Sequence, residues 1–369
     1  MKKYSNNLNN TGIQKHAGTE NSNTPNFAAP NPAAPDKKKN IFNAIYVEEA
    51  ALKYPVSQYV LQKYSHHTII PIRHYKDVFN RTNQLFSIQK HNQSLILAVK
   101  DKPFLYKGPE VCQDFGHPNF YYTSFLLNCI FSCDYCYLQG MYPSANIVAF
   151  VNTEDFKNEI ASKAMQEPLF LAASYDTDLI GFHNIIPYMD YFYDFFKEEK
   201  NLIVEIRTKS GNQSFYEKYK PLDNLIIAFT LSPKEIIEKY EKNTPPLEAR
   251  IKAINAALKK GFKARICLDP IFISTENNEL DSAYKNFYQY VFSNIDADKI
   301  IDIGFGFFRI SKEFYKRIIK QPIYPNVFLE DFSKTGSVIT YPEKLQAEKK
   351  LMHFEILKKY INEERIFDL

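Results

Sequence analysis

Residues Pro245–Ile273 read "PPLEARIKAINAALKKGFKARICLDPIFI". Prolines open the stretch, Leu247, Ile251, Ile254 and Leu258 recur at helical spacing, and Gly261 stands where a helix stops. The following "KARICLDPIFI" is short, apolar and β-branched, as a strand covered on both faces must be. A helix passing directly into such a strand is one unit of a parallel sheet with helical crossovers.

The unit recurs in both directions. Upstream, "FYYTSFLL", "ANIVAFV", "PLFLAAS", "NLIVEIRTKS" and "NLIIAFTLS" read as strands; downstream, "IIDIGFGFFRI" is another. Between them, "NTEDFKNEIASKAMQE" reads as a helix capped by Asn152 or Thr153, and "IPYMDYFYDFFKEEK" as a second helix. About seven such units predict one α/β domain, an open partial barrel or a closed one, with its chemistry at the carboxyl ends of the strands.

Residues 1–40 are polar and rich in Asn, Pro and Ala, which predicts a disordered tail. Residues 41–119 read as an N-terminal segment packing on the barrel, with "SLILAVK" as a strand and "AALKYPVSQYVLQKY" as a helix broken at Pro55. Residues 120–310 form the barrel, and residues 311–369 a C-terminal extension of helical and β additions.

The 369-residue chain carries a net charge of +4, which permits a nucleic-acid partner without requiring one. No apolar run reaches the roughly 18 residues of a membrane helix, and nothing at the N-terminus resembles a secretory leader, so a cytoplasmic protein with no membrane partner is expected. Disulfides are disfavoured in that compartment, so clustered cysteines point to metal binding or chemistry.

Three of the five cysteines lie in "NCIFSCDYCYLQG", as Cys129, Cys133 and Cys136. A structural zinc wants a fourth ligand, and the nearest candidates, Cys112 and His117, lie upstream across a strand. A [4Fe–4S] cluster held by three thiolates keeps one iron open for an exogenous ligand. Zinc remains the alternative from spacing alone.

The spacing C-x3-C-x2-C after a first strand resembles the radical S-adenosylmethionine (SAM) enzymes. That resemblance implies a partial (β/α)6-type barrel, a cluster on the three cysteines and SAM on the open iron. More narrowly, "TSFLLNCIFSCDYCYLQG", "LFLAASYDTDLIGF", "IRTKS", "AFTLSP", "TPPLEARI" and "GFFRISKEFYKRI" resemble the spore photoproduct lyase family, over roughly Tyr121 to Tyr341. The resemblance implies a carbon–carbon lyase that reverses a thymine lesion in DNA, fed by a reductant such as flavodoxin or ferredoxin. It implies that Lys209 pairs with the SAM carboxylate, that Thr177 and Ser232 offer it hydroxyls, and that Tyr135 and Tyr137 relay a hydrogen atom.

One position departs from the family. Where its lyases carry a hydrogen-donating cysteine, this chain has Tyr175. The hydrogen return then runs through Tyr175, or the substrate is another one. Neither Cys112 nor Cys267 matches the donor by position. The basic stretch Arg309, Lys312, Lys316, Arg317 and Lys320, interleaved with Phe314 and Tyr315, is a candidate DNA contact, or the solvated face of an amphipathic helix. A non-enzymatic, metal-containing DNA-binding protein is the remaining reading.

Overall fold

In the computed structural model, which describes residues 41–274 and 279–368, two sheets share one continuous apolar core. The tail expected at residues 1–40 lies outside the described residues. The larger sheet runs Phe120–Tyr122, Leu169–Ala172, Leu202–Thr208, Leu225–Thr230, Lys263–Ile271, Ile300–Phe307, Ile366–Asp368, every neighbouring pair parallel. Tyr106–Lys107 adds an antiparallel strand beside Phe120–Tyr122. No ladder joins the first strand to the last, so the wall is that of an open, partial barrel.

Sequence neighbours are sheet neighbours because helices such as Tyr188–Glu198 and Leu247–Lys260 carry the chain back between strands. Leu247–Lys260 ends as its sequence predicts: Gly261 adopts φ 88°, a left-handed cap that costs glycine little.

The smaller sheet holds Ile69–Ile72, Ile45–Glu48, Leu95–Ala98 and Ile147–Phe150 in parallel, with Leu126–Leu127 antiparallel at its end. This corrects two readings. "ANIVAFV" belongs to this sheet and not to the barrel series. "FYYTSFLL" is two strands, Phe120–Tyr122 in the barrel and Leu126–Leu127 in the small sheet. All residues of Leu95–Ala98 and Ile147–Phe150 are buried, so their apolar runs mark double-sided burial without saying in which sheet.

Two helix readings also change. Pro55 starts the helix Pro55–Lys63 instead of breaking one, since the first turn needs no proline N–H. Asn152 precedes Thr153–Ala164 but does not cap it; its amide bonds both backbone groups of Lys100, pinning the helix start to the end of Leu95–Ala98.

Aromatic rings join the two sheets. Phe125 packs on Phe156 at 5.1 Å and Phe192 at 4.3 Å, and the buried Tyr188 hydroxyl donates to the Phe150 carbonyl at 2.8 Å. Beyond the barrel, Arg309–Ser311, Val338–Thr340 and Ser333–Thr335 form an antiparallel ribbon flanked by helices Lys312–Ile319 and Glu343–Leu357. A Cβ on Gly140 would stand 2.4 Å from the Phe314 carbonyl oxygen. Only glycine lets the short helix Leu138–Met141 lie this close to Lys312–Ile319.

Candidate active site

A cavity of about 310 Å³ opens at the carboxyl ends of the barrel strands. Cys129, Cys133 and Cys136 all line it, and all five cysteines are free. The loop is held at both ends. Asn128 takes φ 71°, a left-handed conformation that asparagine tolerates, and its buried amide donates to the carbonyls of Ser144 and Asn146 at 2.8 and 2.7 Å. Ser132–Cys133 pairs antiparallel with Glu241–Lys242, and Asp134 N–H donates to the Tyr240 carbonyl at 2.7 Å.

Burial pushes the thiol of Cys129 up to about 12, with Lys90 acting against it, and raises Cys133 and Cys136 as well. Coordination by iron would reverse this by stabilising the thiolates. Among the described residues, no three His, Cys, Asp or Glu side chains converge as ligands of a single ion. Three free thiols on one loop lining one cavity are the residues that would hold a [4Fe–4S] cluster with one iron left open.

Beside the loop stands a buried polar group of high connectivity. Glu241 accepts from the Tyr135 hydroxyl, from Ser232 Oγ at 3.3 Å and from Arg250 at 2.5 Å. Burial opposes its charge, yet Arg250 and Lys209 outweigh that and hold its carboxyl below the usual range. Ser232 is spent on this bond and does not line the cavity; Thr230, two residues earlier, does. The expected Ser232 hydroxyl is therefore not presented to a ligand in the cavity.

Lys209 and Thr177 do line it. Lys209 follows the strand Leu202–Thr208, and its N–H donates to Asp178 at 2.7 Å. Its ammonium lies 5.6 Å from the centre of the Tyr135 ring and has no carboxylate partner among the described residues. Burial works against that charge, but the neighbouring Cys133 and Glu241 raise its pKa. Asp178 also accepts from Thr208 Oγ1 and Gly181 N–H, each at 2.7 Å, so its oxygens are used. The Thr177 hydroxyl oxygen is buried without any partner. A buried hydroxyl left unpaired costs stability, which a ligand's polar group would recover.

Across the cavity, the Tyr137 hydroxyl donates to the Tyr175 carbonyl at 2.6 Å, and the Tyr175 hydroxyl meets Cys112 Sγ at 3.7 Å. Tyr175 stacks on Tyr122 at 4.0 Å, and Tyr122 on Tyr106 at 5.1 Å. Cys112 lines the cavity; Cys267 does not, being packed inside the barrel with Phe115, Phe120 and Phe170. Of the basic stretch, Arg309 forms a two-pronged pair with Asp269 at 3.0 and 3.1 Å, and Arg317 donates to the Gly140 carbonyl at 3.4 Å. Lys316 and Lys320 remain exposed.

The sequence pattern of the "Spore photoproduct lyase" family matches residues 41–335, about four fifths of the chain. The chain belongs to the spore photoproduct lyase family. Membership makes it a radical-SAM enzyme that uses a [4Fe–4S] cluster and SAM. It is 25% identical to the spore photoproduct lyase of Bacillus subtilis over 311 residues, covering 78% of this chain and 83% of that one. Identity to the lyase of Clostridium acetobutylicum is 22% over 306 residues, covering 79% and 85%. A solved spore photoproduct lyase complexed with dinucleoside spore photoproduct shares the fold at TM-score 0.73 and 15% identity, covering 89% of this chain and 98% of that one. No described helix is long and apolar enough to cross a membrane.

Proposed function

We propose that this chain restores thymine from spore photoproduct in DNA by radical-SAM chemistry, with Cys129, Cys133 and Cys136 holding the cluster. The observation that supports this best is the grouping, in one cavity of a family member, of three free thiols, an ammonium without a carboxylate partner and an orphaned hydroxyl. When bound, cluster and SAM supply a 5′-deoxyadenosyl radical able to take a hydrogen atom from the lesion.

The chain's own residues position and protect. Lys209 offers a cation for the SAM carboxylate, and Thr177 Oγ1 offers a hydroxyl that no protein group uses. Tyr135 is locked by Glu241 and lays its ring under the Lys209 ammonium, so we assign it to positioning that lysine. Tyr137, tied to the Tyr175 carbonyl, stands between the cysteine loop and the tyrosine stack and is the better placed of the two for hydrogen transfer. Tyr175, which lines the cavity and is backed by Tyr122, offers a ring to an extruded base. Lys312, Lys316 and Lys320 are the members of the basic stretch left for phosphate contact.

The three thiols also line a second opening, on whose rim the exposed Lys239 and Lys242 stand. An acidic one-electron carrier such as a flavodoxin or ferredoxin suits that side, leaving the first cavity to SAM and the lesion.

Anaerobic reconstitution with iron and sulfide, then incubation with SAM, reductant and a dinucleotide spore photoproduct, tests the reading. Thymine formation coupled to SAM cleavage is the expected result. SAM cleavage with an intact lesion would mean another substrate, and a colourless zinc-loaded protein would end the enzymatic reading.

A further inference from the structure

An iron–sulfur cluster that accepts an electron gains one negative charge among its thiolates, and a cation held beside it favours that charge. Lys90 is such a cation. It lies in the turn between helix Phe86–Gln89 and the small-sheet strand Leu95–Ala98, 39 residues before Cys129. Its ammonium nevertheless donates to the Cys129 carbonyl. It lines the second opening, of about 440 Å³, together with Cys129, Cys133 and Cys136.

The residues around Lys90 hold it there. Gln93 Nε2 donates to the Cys129 carbonyl at 3.3 Å and to the Ala145 carbonyl at 2.6 Å. Gln89 Oε1 accepts from Ala145 N–H at 3.0 Å and from Ser144 Oγ at 3.1 Å, and Ser94 N–H donates to the Asn146 side chain at 2.9 Å. The segment thus grips the cysteine loop at its start and at its end, with the lysine between. Burial works against the Lys90 charge, while Cys129, Cys136 and Cys133 favour it. Among the described residues Lys90 has no carboxylate partner, and Asp134, the acidic residue of that opening, is paired with Lys242 at 2.8 Å. Lys209 lines the first cavity and not the second; Lys90 lines the second and not the first. The two ammoniums therefore address different faces of the loop.

Resting on the radical-SAM reading above, we propose that Lys90 sets the reduction potential of the cluster, its ammonium easing the entry of the electron from the side away from SAM. A one-electron carrier is oxidised and the cluster is reduced; no bond forms or breaks, and the total charge among the three thiolates falls by one. Lys90 keeps its proton throughout and acts through its charge, not on SAM or the lesion. The small sheet then takes part in the chemistry as well as in the core, since it carries a cation to a loop that the barrel builds.

The reconstituted protein is titrated with dithionite against redox mediators, without SAM or lesion, and the reduced cluster is read by electron paramagnetic resonance. Lys90→Met should move the midpoint to more negative values, so that the ratio of reduced to oxidised cluster at a fixed potential falls about fivefold or more. Lys90→Gln keeps a donor but no charge and should fall likewise. Lys90→Arg should recover most of the wild-type ratio. Lys239→Met, on the rim of the same opening, should leave the ratio unchanged and so exclude a general effect of surface charge. Iron content and the melt of each apoprotein are measured alongside. A smaller fall in a Lys90→Met protein that loads iron as wild type does would overturn the proposal. If that variant fails to fold or load, Lys90→Gln and Lys90→Arg decide, and equal midpoints for the two would overturn it. A wild type that takes up no cluster would instead overturn the reading on which the proposal rests.

Discussion

On the side of the cavity that carries Glu241, the carboxylate accepts from Tyr135, Ser232 and Arg250, and nearby Asp178 accepts three more bonds. On the side that carries Tyr175, Thr177 Oγ1 and Asp176 Oδ1 have no partner, and Cys112 has one long contact. The first side is a finished scaffold that fixes the cysteine loop to the barrel. The second leaves capacity unspent, as a surface that receives ligands does. The difference separates residues that hold the site from residues that use it.

Substitutions can break that division. The largest effect belongs to the loop between the two sides: Cys133→Ala should abolish the reconstituted iron–sulfur absorbance and reduce SAM cleavage below detection. On the scaffold side, Glu241→Ala strands the buried Arg250 and should cost about 3–5 kcal/mol in chemical denaturation of the apoprotein. A loss under about 1 kcal/mol would mean that side is not the scaffold.

Asp176 sharpens the contrast through pH. Burial raises its carboxyl to about 6, against the hydrogen bonds from Ser124 and Tyr142. A folded-state value above the unfolded one means that Asp176 favours the fold below about pH 4, and that this contribution is lost as pH rises through about 6. Asp176→Asn should therefore gain stability relative to wild type between pH 4.5 and 7, by on the order of 2–3 kcal/mol, read from paired melts. An unchanged difference across that range would show that Asp176 is not held protonated.

On the receiving side the effects should fall on binding. Lys209 faces both sides, since its ammonium also supports the buried Glu241 charge; Lys209→Met should weaken SAM about ten- to a hundredfold, the worth of a charge-assisted contact, and lower the melt as well. Thr177→Val should weaken it roughly three- to tenfold with the fold intact, since its hydroxyl has no protein partner to lose. Isothermal titration of SAM into the reconstituted protein reads both.

The sequence carried the barrel because helix and strand periods alternate and because Gly261 and Pro246 mark their ends. It carried the cysteine loop because spacing within a loop is local. It did not show which sheet Ile147–Phe150 joins, since burial on both faces looks alike in either. Glu241 and Arg250 carry no local signal in the sequence, and only folding reveals a fully buried pair. Ser232 read as a loop hydroxyl facing a ligand until Glu241, nine residues on, claimed it. Cys112 stood in the sequence only as a possible zinc ligand and a poor match for the donor; its contact with Tyr175 is set by the pairing of Phe120–Tyr122 with Leu169–Ala172, not by distance along the chain.

The strand Ile366–Asp368 has a bearing on handling the protein. It covers Ile300–Phe307, whose backbone would otherwise present unpaired N–H and C=O groups to any passing chain, a template for self-association. Phe367 also packs on Phe115, whose ring lies 3.2 Å from the Arg265 guanidinium inside the barrel. A truncation that removes these few residues should leave a sheet edge prone to self-association and loosen the segment that presents Cys112.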